Sequence, residues 1–226
     1  MKTEWGQNEP YNQRLSKIDG EYPKAGCVAV AMAQIMKYHQ WPTNFSWSAM
    51  SNKETSSTNW IHVADLLSNI GINVHMQYGV DESDAYDSDA RTAFINNYHY
   101  SSSIKLVSHN VNNVISEIKA KRPVYVSGSR WDSNLEEYKG HAWVCDGYQR
   151  NSSTTQYTLI VIPSDTGYFW EQEGTYQPPF NTYEYVHMNW GWNGSSNGWF
   201  MDDNIAVGNR DYKYNRMDML SIYPNR

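Results

Sequence analysis

A chain of 226 residues, 40% hydrophobic and 19% charged, is long enough to bury a sizeable core as one large domain or two closely joined halves. Its net charge of −6, with no Lys/Arg-rich run, lacks the basic footprint of a nucleic-acid partner, and no stretch approaches the roughly 20 apolar residues of a membrane span. Two cysteines exclude a disulfide scaffold and a four-cysteine zinc site, and neither a metal nor another cofactor is expected.

The opening "MKTEWGQNEP" has no apolar signal core, which predicts a chain that is cytosolic or already processed. Next, "KAGCVAVAMAQIMKYHQWP" predicts a helix from Cys27 to about Tyr38, stopped by Pro42. Val28 to Met36 are apolar nearly all the way round, so this helix belongs inside the protein. Its first turn carries free backbone N–H groups and the positive end of the macrodipole. A cysteine there has its thiolate favoured, with pKa values in such settings of roughly 3.5 to 7.5. Gly26 removes a side chain where a substrate backbone would approach. A buried structural thiol is the plainer reading of a lone cysteine, and only partners change it.

Three further helices follow. "TNWIHVADLLSNIG" has Thr58 as N-cap and Gly71 as stop, "SDARTAFINNYHY" comes next, and "VNNVISEIKAKRP" ends at Pro123. "SNKETSSTN" is a polar surface loop. The rest reads as strands: "PVYVSG", "HAWVCDGY", "QYTLIVI", "EYVHMNW", "GWFMD" and "MDMLSIY" are β-branched or aromatic runs between Gly, Pro, Asn and Ser. "RNSSTT" is a hairpin loop and "SDTGYFWEQEGTYQPPFNTY" a long aromatic-bearing excursion. Helices first and strands second predict an α+β fold in a single domain over residues 1–226. Its helical half runs to about residue 122, its β half starts at about 123, and a cleft lies between them.

Of seven histidines, His39, His62, His75, His99 and His109 sit among polar neighbours and are expected at the surface. His141 follows Gly140 at a strand entrance, where its ring can project into a cleft. His187 precedes Asn189 by two residues, so both point to one sheet face. A satisfied core histidine is the alternative for each. Cysteine-dependent hydrolysis needs a thiolate, an imidazole to pair with it, a group orienting the imidazole, and donors for the oxyanion. Cys27, His141, Asn189 and Gln7 supply that set. Cys145 lies four strand residues beyond His141, roughly 13 Å of extended chain, and is assigned to packing.

The stretches "GCVAVAMAQIMKYHQWP", "GHAWVCDGY" and "HMNWGWNGSSNGWF" resemble the streptopain family of bacterial cysteine peptidases, papain-like in fold, and "WGQNEPYN" resembles its segment with the oxyanion glutamine. The papain signature C-G-[SA]-C-[WY] itself is missing. The resemblance implies Cys27 as nucleophile, His141 as general base, Gln7 in the oxyanion hole, and Asn189 with Trp190 orienting and shielding the histidine. It implies Gly140, and Tyr78 and Ala85 of the "MQYGVDESDA" loop, as substrate-binding positions beside Gly26. It further implies a mature endopeptidase domain, secreted or at the cell surface or periplasm. Such a domain is monomeric and acts on proteins or peptides, with a prodomain or inhibitor able to fill the cleft. A hydrophobic side chain second before the scissile bond is the implied preference. Two other readings stand beside it: an amidase or transpeptidase on cell-wall peptides, and a non-enzymatic carbohydrate- or peptide-binding module.

Overall fold

The computed structural model describes residues 1–53, 58–153, 157–158, 175–176 and 181–225. Helix α1 (Cys27–His39) starts where Gly26 adopts φ +90° and stops at Gln40 in the left-handed region. Every residue from Val28 to Met36 is buried, as an apolar surface all the way round requires. Helices α2 (Trp60–Asn73) and α3 (Asp87–Asn96) pack against α1 and against each other. Together they enclose a core that includes Met32, Ile35, Leu66, Phe94 and Tyr100.

The α2 boundaries differ from the sequence expectation at both ends. Asn59, not Thr58, holds the N-cap position. Gly71 does not stop the helix; a Cβ there would fall 1.9 Å from the Tyr78 hydroxyl, so this glycine makes room for a packed ring. Strand β1 (Lys105–Ser108) follows, unanticipated in the sequence because four residues carry too little pattern. Helix α4 (Val111–Lys119) is capped by Asn110, whose side chain accepts the Asn112 N–H at 2.9 Å.

The remaining strands are β2 (Val124–Asp132), β3 (Glu137–Ser153), β4 (Tyr157–Thr158), β5 (Thr175–Tyr176), β6 (Asn181–Asn189), β7 (Gly198–Phe200) and β8 (Tyr214–Leu220). One antiparallel sheet has the order β1-β8-β2-β3-β6-β7, and β4 pairs with β5. The fold is α+β. β1, from the helical half, joins the sheet beside β8, so the boundary near residue 122 is not a clean division. The expected "RNSSTT" loop begins as strand, since β3 pairs with β6 out to Ser153. The rest of that loop, the middle of "SNKETSSTN", the end of "QYTLIVI" and most of the aromatic excursion lie outside the described residues.

Alternation along β3 divides the two cores. Ala142 and Val144 face the core beneath α1. Trp143 and Cys145 face a second core with Val186, Met188 and Trp190. Burying aliphatic side chains of this kind stabilises by about 1.5–3 kcal/mol each, and α1 stays inside through many such contacts.

Candidate active site

Cys27 is the first residue of α1 and is half-buried. Gly26 before it serves a different end from the one expected. Its φ of +90° disfavours any side chain, and a Cβ would meet the Met76 Cε at 2.5 Å. The missing side chain therefore accommodates Met76 rather than an incoming substrate. Removal from water pushes the Cys27 thiol up to about 12. Backbone N–H groups of Ala142 and Val28 donate to its sulfur and oppose that rise, while the charges of Asp84 and Asp87 add to it. The lowering expected at a helix N-terminus is not seen, because burial outweighs the two N–H donors.

His141 lies on β3 and is 6% exposed. Its Nε2 lies 2.9 Å from the Trp190 backbone carbonyl. A carbonyl only accepts, so Nε2 carries the proton and a neutral ring leaves Nδ1 with a free lone pair. Burial lowers the ring to about 4; the Trp190 carbonyl opposes this and the Arg210 charge adds to it. Aromatic side chains surround the imidazole. Trp192 lies 4.9 Å away, Tyr212 5.1 Å, Trp190 6.1 Å and Trp143 6.2 Å between ring centroids. Trp190 and Trp143 are completely buried. Sequence reasoning singled out Trp190 alone. Trp143 was findable, because it is two residues from His141 on one strand and so shares its face.

Asn189 does not orient His141. Its Nδ2 donates to the Thr3 carbonyl at 2.6 Å, and its Oδ1 accepts the Gly191 N–H at 3.2 Å. The reason is parity: consecutive residues at a strand end point to opposite faces, so with Trp190 beside His141, Asn189 points away. Its task is to anchor the N-terminal segment. The same segment carries Gln7, whose carbonyl accepts the Ala25 N–H at 2.9 Å, while Asn193 N–H donates to the Trp5 carbonyl at 3.1 Å. A Cβ on Gly6 would fall 1.8 Å from Asn193 Oδ1, so the two segments are in close contact.

Gln7, Cys27, Gly140, His141 and Trp192 all line one cavity of about 670 Å³. Ala85 joins Cys27, Gly140 and His141 around a second, of about 510 Å³. Gly140 has open space where a Cβ would sit. Tyr78 lines neither cavity; its hydroxyl is buried against Gly71, and that burial raises its pKa. The ring packs half-buried against the helical core. His187 is held by Asp146, with Nδ1 2.6 Å from Oδ1, and Cys145 is 1% exposed. Contrary to expectation, His109 is not a surface residue: its side chain is 10% exposed between Asp202 and Asp218. Among the described residues, no group of three or more His, Cys, Asp or Glu could hold a metal ion. No helix among them is long and apolar enough to cross a membrane.

A sequence model of the peptidase C10 family matches residues 5–46 and 43–200. Streptopain of Streptococcus pyogenes serotype M1 is 24% identical over 253 residues, covering 88% of this chain and 53% of its own length. The thiol protease/hemagglutinin PrtT of Porphyromonas gingivalis is 25% identical over 232 residues, covering 87% and 22%. The chain thus spans about half the length of the curated streptopains it matches. The structure of active wild-type interpain A cysteine protease from Prevotella intermedia superposes with a TM-score of 0.74 at 22% identity, covering 99% of this chain and 93% of that one. A prointerpain A fragment from the same organism gives 0.68 at 21%, covering 100% and 72%.

Proposed function

Because the chain belongs to the peptidase C10 family, we propose that it is a cysteine endopeptidase in which Cys27 and His141 form the catalytic pair. The tautomer of His141 carries this reading. With Nε2–H committed to the Trp190 carbonyl, the free Nδ1 lone pair is available to take the thiol proton in a cavity that Cys27 also lines. Burial penalises a thiolate or an imidazolium standing alone. Transfer of the proton to Nδ1 creates both charges together, and their attraction in a poorly solvated site offsets the penalty.

The thiolate adds to the scissile carbonyl carbon, and the carbonyl electron pair moves onto oxygen. The Gln7 side-chain amide and the Cys27 backbone N–H donate to that oxyanion. Collapse expels the amine, which takes the proton from His141 Nδ1 and leaves a thioester on Cys27. Water then gives a proton to the same nitrogen and attacks the thioester, and the acid product leaves as the proton returns to sulfur. The Trp190 carbonyl fixes the tautomer, and the indoles of Trp190 and Trp192 keep water off the imidazole.

The same reading makes residues 1–226 one papain-like domain, supported by the pairing of β1 with β8 across the two halves. It has the protein secreted or at the cell surface or periplasm, acting as a monomer on protein or peptide substrates. A prodomain or inhibitor occupies the cleft when the enzyme is silent; the fold shared with a prointerpain A fragment supports that part. Casein digestion tests the assignment. Cys27→Ala should abolish it with the circular dichroism spectrum retained, and Cys145→Ala should keep most of it. Cleavage of peptidoglycan fragments with casein untouched would favour an amidase or transpeptidase instead.

A further inference from the structure

The 510 Å³ cavity beside Cys27 is bounded by the Ala85 turn, the start of α3 and β2. Its charged lining has one sign: Asp84 and Asp87 are present, with no Lys or Arg. The neighbouring 670 Å³ cavity differs, since Lys24, Arg130, Lys139 and Arg210 balance its carboxylates. Asp87 is held firmly. Tyr125 Oη donates to Oδ1 at 2.6 Å and Ser127 Oγ donates to Oδ2 at 2.6 Å. Tyr125 is completely buried, so the anchor is part of the core. Neither Asp84 nor Asp87 forms an ion pair among the described residues.

A carboxylate has about four acceptor sites, so two hydroxyl donors leave Asp87 with capacity for a ligand. The walls suit a long side chain with a charged end. Val28 and Ala85 offer apolar surface for a stem, and the exposed rings of Tyr86 and Tyr138 offer faces to a cation. A purely apolar side chain would instead strip water from two carboxylates and return nothing.

We infer that this cavity takes a substrate side chain near the scissile bond and that Asp87 selects a cationic one, arginine or lysine. The inference rests on the peptidase reading and departs from the hydrophobic preference that the family resemblance implies. A cation seated there also counters the two negative charges that add to the rise of the Cys27 thiol. Selection should therefore appear in kcat as well as in KM.

Matched peptides test it, with arginine against citrulline and lysine against norleucine, placed in turn at each position flanking the scissile bond. The wild-type protein should favour the cation at one position by roughly ten- to a hundredfold in kcat/KM, the scale of a hydrogen bond to a charged group. Asp87→Asn, which still offers an acceptor oxygen, should bring that ratio close to one, and Asp84→Asn should lower it partway. The wild-type ratio is decisive even if a variant fails to fold. Equal or faster cleavage of citrulline and norleucine peptides by wild type overturns the inference and leaves the peptidase reading intact. An unchanged ratio in Asp87→Asn also overturns it. If Cys27 is alkylated yet no peptide is cut, both readings fall.

Discussion

His109 and His141 are two imidazoles withdrawn from water beside the same sheet, and their surroundings treat a proton in opposite ways. His109 Nδ1 lies 2.6 Å from Asp218 and Nε2 lies 2.7 Å from Asp202. Both nitrogens face acceptors that are anions, so the doubly protonated ring satisfies both. Burial works against that charge, but the hydrogen bonds to Asp202 and Asp218 outweigh it and raise the pKa, with Arg216 opposing. His141 has one neutral acceptor and a wall of aromatic rings, and its pKa falls to about 4. Burial is common to the two; the number and charge of acceptors separates them. A general base needs a vacant nitrogen. His141 has one, and His109 has spent both in tying Asp202 to Asp218 of β8.

The contrast breaks most sharply in turnover. His141→Ala should lower kcat by about 10⁴-fold, the scale for losing one member of such a constellation, whatever stability it loses with the buried ring. His109→Ala should spare turnover at low temperature and instead destabilise by about 3–5 kcal/mol, because it leaves Asp218 buried without its cation. Chemical unfolding read beside turnover separates the two. Loss of turnover in His109→Ala at temperatures where it stays folded would contradict the division of roles.

Acidity sharpens the comparison with a smaller effect. The His141 pKa is depressed, so its neutral burial stabilises above about 6.5 and that contribution is lost as pH falls towards about 4, on the order of 3 kcal/mol in all. The His109 pKa is raised, so its contribution is present below the unfolded value and lost as pH rises through the folded one. Thermal midpoints across pH should show both limbs in the wild-type protein. The acid limb should shrink in His141→Gln and the alkaline limb in His109→Gln.

Local features were legible in the sequence. The apolar run from Val28 to Met36 and the cysteine at its start led directly to α1, because helix burial and helix ends are properties of neighbouring residues. What depends on distant contacts was not. The local sequence around Gly26 suggests clearance for substrate, but its neighbour is Met76, fifty positions along in the chain and invisible to any local pattern. His109 looked exposed among polar residues until Asp202 and Asp218 closed around it. The family resemblance points Tyr78 at the cleft, and only the fold puts its hydroxyl over Gly71. Asn189 is a different case. Strand alternation alone shows that Asn189 and Trp190 cannot both face His141, so that misassignment was avoidable. The family motif drew attention to the asparagine, whereas the acceptor is a main-chain carbonyl, which no residue type signals.

On the proposed reading, Cys27 is reactive only as half of a pair with His141. Its own pKa stands at about 12, so a lone thiol in this site is protonated at neutral pH. The most direct measurement is the rate of Cys27 alkylation by iodoacetamide across pH, followed by mass spectrometry in Cys145→Ala and in Cys145→Ala with His141→Ala. The paired protein should be labelled rapidly at neutral pH, and removal of His141 should confine labelling to strongly alkaline solution. Equal labelling of both at pH 7 would mean that the helix terminus activates the sulfur unaided, and would contradict the account.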